Sequence, residues 1–581
     1  MKNTELPNNN NGNNTIMTLG LTTFSKKKAS WLAGCLLAYT ALGGMAHADE
    51  RADLMAKHRG GTMVLSAVAA AGTLDTAINY TGQFWQIFQM TNDGLVKFKQ
   101  AAGTEGFKIV PDIAEAIPEP QDGGKTYVFK IRKGIMFSNG KELKPSDVLA
   151  SFQRIFKVNG PTTGSFYNGF VGSDKCIANG ATCTLDGGVI ADDAASTVTF
   201  HLVAPDSEFF DKLAVPHASI LPADAPLKDA GTTPLPATGP YMIVSYNPNE
   251  QMVLKRNPHF KEWSVDAQPD GYVDEIDYKF GMTEEATINA IQNGQVDWMF
   301  DPPPTDRLPE LGSKYAKQMH IDPLAAFWYL PMNTNLPPFN NVKVRQAVNY
   351  ALDRDAIVGL YGGDVLGTPT CQILPPDFPG FAPSCLYTKN PGESWSEPDM
   401  DKAKALIKES GTAGQKVTVI AEDTAVGRGI GTYVQSLLTE LGFDASMKAI
   451  STNIQFTYIQ NTNNNVQISV SQWFMDYPAA SDFINVLLSC DSIHPGSDSS
   501  INISGYCNKD LDKQMQETMA LAVTNPDAAN ANWAKIDKAY MEQAPLAPLF
   551  TPKSVNFTSA RLGNYLFNKQ NRWVMSQSWV K

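Results

Sequence analysis

Polar and apolar residues alternate over residues 125–132 and again over 197–202, the period-two pattern of strands with one buried face. Residues 60–66 read as a first strand behind a Gly-Gly turn. A helical pattern over 80–92 follows, then a short strand at 95–98. Lys133-Gly134 and Asn139-Gly140 bracket a brief hairpin arm at 135–137, and Pro145 opens a helix to about Phe156, with Ser146 or Asp147 near its cap. Residues 242–244 and 252–256 pair as strands across a polar turn. Amphipathic helices are expected at 284–293, at 342–351 (closed by Asp353-Arg354-Asp355), at 400–410 before Gly411, and late at 526–543. Residues 417–420 and 431–441 form a strand and helix, and 466–470 is apolar enough for a buried strand. Strands and helices mix without strict alternation, which favours several interleaved lobes over a barrel.

The length of 581 residues with 43% hydrophobic and 18% charged content allows about three or four domain-sized units. With 47 basic against 59 acidic residues the net charge is −12, a poor match to nucleic acid or an anionic membrane surface. The single apolar stretch near membrane length lies at the N-terminus. A polar, Asn-rich extension, Lys26-Lys27-Lys28, an apolar run from Trp31 to Gly44 and the box Ala46-His47-Ala48 read together as a signal peptide over 1–48, cleaved after Ala48. Cys35 comes too soon after the lysines to be a lipidation site. The remaining chain has 43 basic and 58 acidic residues, and its six cysteines fall into close pairs: Cys176 with Cys183, Cys371 with Cys385, and Cys490 with Cys507. Local disulfides are the simplest pairing in an oxidising compartment, with free buried thiols as the alternative.

Signatures of chemistry are missing from the sequence. It has no GxxxxGK[ST] loop, GxSxG elbow or HExxH. Beyond the signal, His58, His201, His217, His259, His320 and His494 are scattered, and CxxC is absent, so no sequence-local metal site is expected. Binding without chemistry is favoured, and no cofactor is implied.

Four segments then carry a resemblance. Ile109 to Glu115 matches a "P-x-[LIV]-A-E" pattern. Tyr127 to Gly140 matches "F-x-L-R-x-G-x-x-F-x-D-G" with Asn139 for the usual Asp. Asn333 to Ala347 matches "N-x-x-x-P-P-F-x-D-x-x-V-R-Q-A" with Asn341 for Asp. Trp473-Phe474-Met475-Asp476-Tyr477 matches "W-x-x-D-Y". In this order they resemble the bacterial extracellular solute-binding proteins of family 5, the oligopeptide, dipeptide and nickel binders of ABC transporters.

The resemblance implies a mixed α/β (α+β) fold, periplasmic-binding-protein-like type II, with two lobes around a cleft and an extra domain. Lobe I is expected from 60–97, 223–281 and 550–581, the extra domain from 98–222, and lobe III from 282–549. It implies an importer's substrate-binding protein, periplasmic and monomeric, passing short peptides to a membrane permease driven by ATPase subunits. A non-peptide solute (sugar, opine, metal chelate or haem) on the same fold is the alternative. Asp476 would meet a ligand's ammonium, or else cap a helix near Asp482. Trp473 would wall the pocket or pack in the core, and Phe474 and Tyr80 are further candidates. Arg345 is expected to pair with a carboxylate. Residues 461–466 lack the basic side chains that the oligopeptide binders carry there, so a carboxylate clamp must come from elsewhere.

Overall fold

The computed structural model describes residues 51–496 and 500–581. Residues 51–58 are helical and group with the segment before them, apart from the unit formed by 59–581. The expected signal peptide, its cleavage point at Ala48 and Cys35 lie outside the described residues.

The first sheet is built from distant parts of the chain. Thr62–Ala67 runs parallel between Glu275–Phe280 and Trp298–Met299, and Gln251–Arg256 and Tyr241–Asn247 continue it antiparallel. Its inner face meets the Gly82–Thr91 helix through Phe84, Ile87 and Phe88, and the C-terminal residues Trp573 and Met575 complete that core. Trp298–Met299 thus lies in this sheet although it falls beyond residue 281.

A second body carries the antiparallel strands Thr126–Lys130, Thr197–His201 and Val189–Asp192, covered by the Pro145–Lys157 helix. Asp147 accepts the Lys144 N–H at 2.8 Å and so closes the helix start. An aromatic cluster of Phe129, Phe152, Phe170, Phe200 and Phe209 fills the interior at edge-to-face or tilted angles. One member of this core, Tyr477, comes from far along the chain.

The third body has two sheets. Asp444–Ile450, Lys416–Glu422 and Ile468–Ser469 are parallel, with the Ala425–Glu440 helix on one face. The other is antiparallel, in the order Met319–Pro323, Leu546–Phe557, Ala326–Pro331, Ser471–Phe474. Leu546–Phe557 therefore pairs within this body almost to its end, and the chain crosses back to the first sheet only afterwards, past the expected crossing at 550. Arg561 anchors that return by ion-pairing with the buried Asp297 at 2.7 Å.

Of residues 466–470, expected as one buried strand, only Ile468–Ser469 is a strand, and the strand that follows it, Ser471–Phe474, belongs to the other sheet. Ile468–Ser469 pairs with Lys416–Glu422, whereas Ser471–Phe474 pairs with Ala326–Pro331. Asp353 does not close the preceding helix; it caps a separate one, Arg354–Tyr361, by accepting the Ala356 N–H. Arg345 pairs with no carboxylate: its guanidinium donates to the carbonyls of Phe339, Gln543 and Ala544. The three expected cysteine pairs are joined as disulfides.

Candidate functional site

Tyr80 sits just before the Gly82–Thr91 helix. Asn79 holds the helix entry by accepting from the Thr81 N–H and hydroxyl, and its own carbonyl accepts the Trp85 indole N–H. The Tyr80 ring stacks on Trp85 with centroids 5.4 Å apart and meets His217 edge-on at 5.0 Å. His217 is fully buried, and burial lowers its pKa to about 3, so the imidazole is neutral and packs as an apolar ring. One edge of Tyr80 stays open: the residue is 45% exposed.

Asp476 follows the Ser471–Phe474 strand, which is fixed against Ala326–Pro331 with Phe474 opposite Ala326. Its main chain is held on both sides. The Asp476 N–H donates to Asp482 Oδ2 at 2.9 Å, and its carbonyl accepts from Gln570 Nε2 at 2.9 Å. Asp476 does not cap the Ala480–Leu488 helix, as one expectation had it; Asp482, in that helix's first turn, braces Asp476 instead.

These contacts aim the Asp476 side chain into a cavity of about 270 Å³, walled by residues 80–89, 474–476 and 570–572. That volume is near the small end of ligand pockets. Of the four residues singled out from sequence, Tyr80, Phe474 and Asp476 line it together. Trp473 lies outside the wall. Its indole N–H points towards Asp482 and steadies that carboxylate without reaching hydrogen-bond geometry. Arg572, Gln570 and Trp85, which sequence reasoning missed, complete the cavity. No motif marks the 570–572 segment, and its place is set by the late crossing of the chain.

The electrostatics centre on two carboxyls. Burial pushes Asp476 up to about 6, and the nearby Tyr80 hydroxyl partly opposes it. Asp482 is fully buried, and burial together with the nearby Asp476 pushes it well above the carboxylate range. Of the two carboxyls, Asp476 is the one that faces the cavity. Burial and the same carboxylate raise Tyr80, so its hydroxyl remains a donor.

Three bridges cross between the bodies. Glu208, in the second body, accepts from the hydroxyls of Tyr477 (2.8 Å) and Ser481 in the third. Phe107 meets Phe378 edge-on at 6.0 Å, and Lys569 pairs with Asp377 at 2.7 Å. The Asn-rich stretch 461–465 lines a different hollow, of about 130 Å³, and takes no part in the Asp476 cavity. Among the described residues, Cys490, Cys507 and Asp512 stand close enough to hold a cation, but the two sulfurs are bonded to each other.

Comparison with known proteins places this architecture. A family profile described as "Bacterial extracellular solute-binding proteins, family 5 Middle" matches residues 108–494. The dipeptide-binding protein of Escherichia coli (strain K12) is 29% identical over 455 residues, 73% of this chain and 77% of that protein. The periplasmic oligopeptide-binding protein OppA of Salmonella typhimurium is 25% identical over 457 residues, covering 76% and 79%. Among solved structures, clavulanic acid biosynthesis oligopeptide binding protein 2 superposes with a TM-score of 0.82 at 23% identity, covering 90% of this chain and 96% of that one. The two-lobed type II binding-protein fold is thereby shown.

Proposed function

Because the chain belongs to the bacterial extracellular solute-binding proteins of family 5, we propose that it captures short peptides in the cleft, holding the ligand's α-ammonium on Asp476. The observation that carries this reading is a charged carboxylate in a cavity, with its main chain locked on both sides and a tyrosine hydroxyl beside it. A desolvated ammonium needs such a fixed anionic partner. The names of the relatives, a dipeptide binder and an oligopeptide binder, support the same ligand class. Phe474 and the Tyr80–Trp85 stack supply flat apolar walls for the ligand's backbone and side chains.

In this reading the protein works in the periplasm after cleavage behind Ala48, as a monomer. It performs no chemistry and hands its ligand to a membrane permease powered by ATPase subunits. Among the described residues no helix is long and apolar enough to cross a membrane. The division proposed for the chain keeps lobe I, an extra domain and lobe III, with the final crossing placed after Phe557.

The test is calorimetric titration with trialanine and its N-acetyl derivative. Binding of free trialanine is expected to fall by about 10- to 100-fold on acetylation or in Asp476→Asn, the loss of one charge-assisted hydrogen-bonded contact. Equal binding of the acetylated peptide by the native protein would sink the ammonium role.

A further inference from the structure

A second hollow, of about 230 Å³, shares no lining residue with the Asp476 cavity: Lys569 lines the second and its neighbour Gln570 the first. Its floor is the strand Leu546–Phe557, and the alternation of that strand sets what the hollow meets. Phe550 packs on Trp328 and Tyr361 on the core side. Thr551 and Lys553 therefore stand on the opposite face, about 7 Å apart along the strand. Thr551 is paired across the sheet with Thr368, which also lines the hollow. Phe107 from the second body, the loop at Asp377 and Lys569 on the returning C-terminal segment complete the wall.

The polar groups of this wall are incompletely matched. The Lys569 side chain is only 13% exposed, and among the described residues its carboxylate partner is Asp377 at 2.7 Å, itself 69% exposed. A pair with so wet a carboxylate is weak, so Lys569 can turn to another anion at little cost. The Lys553 ammonium donates to the Asp364 carbonyl at 2.6 Å and meets no carboxylate among the described residues. Thr551 is buried and its hydroxyl has no hydrogen-bond partner, so a turn about its Cα–Cβ bond breaks nothing. Two ammonium groups against one carboxylate leave a surplus of one positive charge, in a chain whose net charge is −12. The remaining wall is apolar: Phe107, Leu324 and the prolines Pro323, Pro376 and Pro552. Prolines carry no N–H, so this part of the wall favours a hydrocarbon body over a polar one.

We propose that the hollow is a second binding site, which takes a small organic monocarboxylate. Its carboxylate would lie between Lys569, Lys553 and the Thr551 hydroxyl, and its apolar body against the prolines and Phe107. A single negative charge balances the surplus, whereas a phosphate dianion would exceed it. Phe107 and Lys569 reach this hollow from outside the third body, beside the bridges to Phe378 and Asp377, so an occupant touches both sides of those bridges. The site does not rest on the peptide reading, because none of its residues belongs to the Asp476 cavity.

The experiment titrates the native mature protein with benzoate and butyrate by calorimetry, with benzyl alcohol and inorganic phosphate as controls. It is repeated in Thr551→Val, Lys569→Gln and Asp476→Asn. A carboxylate probe should bind at millimolar concentration or below, with one site per chain, and neither control should displace it. Thr551→Val and Lys569→Gln should each weaken it about tenfold, and Asp476→Asn should leave it unchanged. Thr551→Val should unfold at no lower temperature than the native protein, because a methyl replaces a buried hydroxyl that has no partner. Absence of binding by both carboxylates would overturn the proposal. So would equal binding of phosphate or benzyl alcohol, full affinity in both Thr551→Val and Lys569→Gln, or a loss confined to Asp476→Asn, which would put the probe in the other cavity.

Discussion

In the ammonium contact proposed for it, Asp476 acts only while ionised, and its surroundings set the pH at which that holds. Its carboxyl is pushed up to about 6 by burial, with Tyr80 lowering it and Asp482 titrating beside it. A bound ammonium favours the charged form, so ligand affinity is complete above about pH 6. It is lost as pH falls through that value, approaching tenfold per pH unit. The ligand-free protein follows the opposite sign: its raised carboxyl binds protons more tightly than in the unfolded chain, so stability declines as pH rises from about 4 to 6. Calorimetry of trialanine from pH 4.5 to 7.5 should show the drop in native protein and a flatter profile in Asp476→Asn; a flat native profile would contradict the assignment. Asp476 was legible from sequence because a motif surrounds it. Arg572 was not, since no motif marks the 570–572 segment and its place is set by the late crossing of the chain. Arg345 shows the converse: its motif was visible, yet its donors go to carbonyls at the end of the 526–543 helix, which no pattern announces.

The strand Ser471–Phe474 and the loop after it connect ligand contact to lobe contact. Asp476 faces the cavity, while its neighbour Tyr477 enters the core of the second body and bonds Glu208 together with Ser481. The Glu208 carboxylate is buried, and both hydroxyls approach it from across the cleft. A contact made only with the lobes together shifts the open–closed balance towards closure. Glu208→Ala is expected to release bound trialanine about tenfold faster, measured by stopped-flow on intrinsic fluorescence, with the fold retained; an unchanged release rate would show that these bonds do not hold the lobes shut.

Regular elements of this kind were largely legible. The helices Val342–Ala351, Met400–Ser410 and Pro526–Gln543 have the limits expected from sequence, although the residues expected to close the first instead open the next helix. The Ala425–Glu440 helix starts six residues earlier than the 431–441 expected from sequence. At Gly431 a Cβ would come within 2.7 Å of Ala421 Cβ, so the glycine is there to let the helix approach the sheet.

At the scale of the whole molecule, the chain threads its bodies so that the cavity wall draws on residues 80–89, 474–476 and 570–572, nearly 500 positions from first to last. Motifs reported the family and the fold, because they mark turns and cores that recur wherever this architecture is built. They could not report the 570–572 part of the cavity wall, which depends on where the chain's final crossing lands. The central proposal is that the cleft holds a short peptide with its ammonium on Asp476. Its most direct test is native mass spectrometry of the mature protein purified from its own exported compartment without denaturation, followed by fragmentation of what is released. A family of small masses that sequence as short peptides with free amino termini is expected. A single released compound lacking an amino group would contradict it.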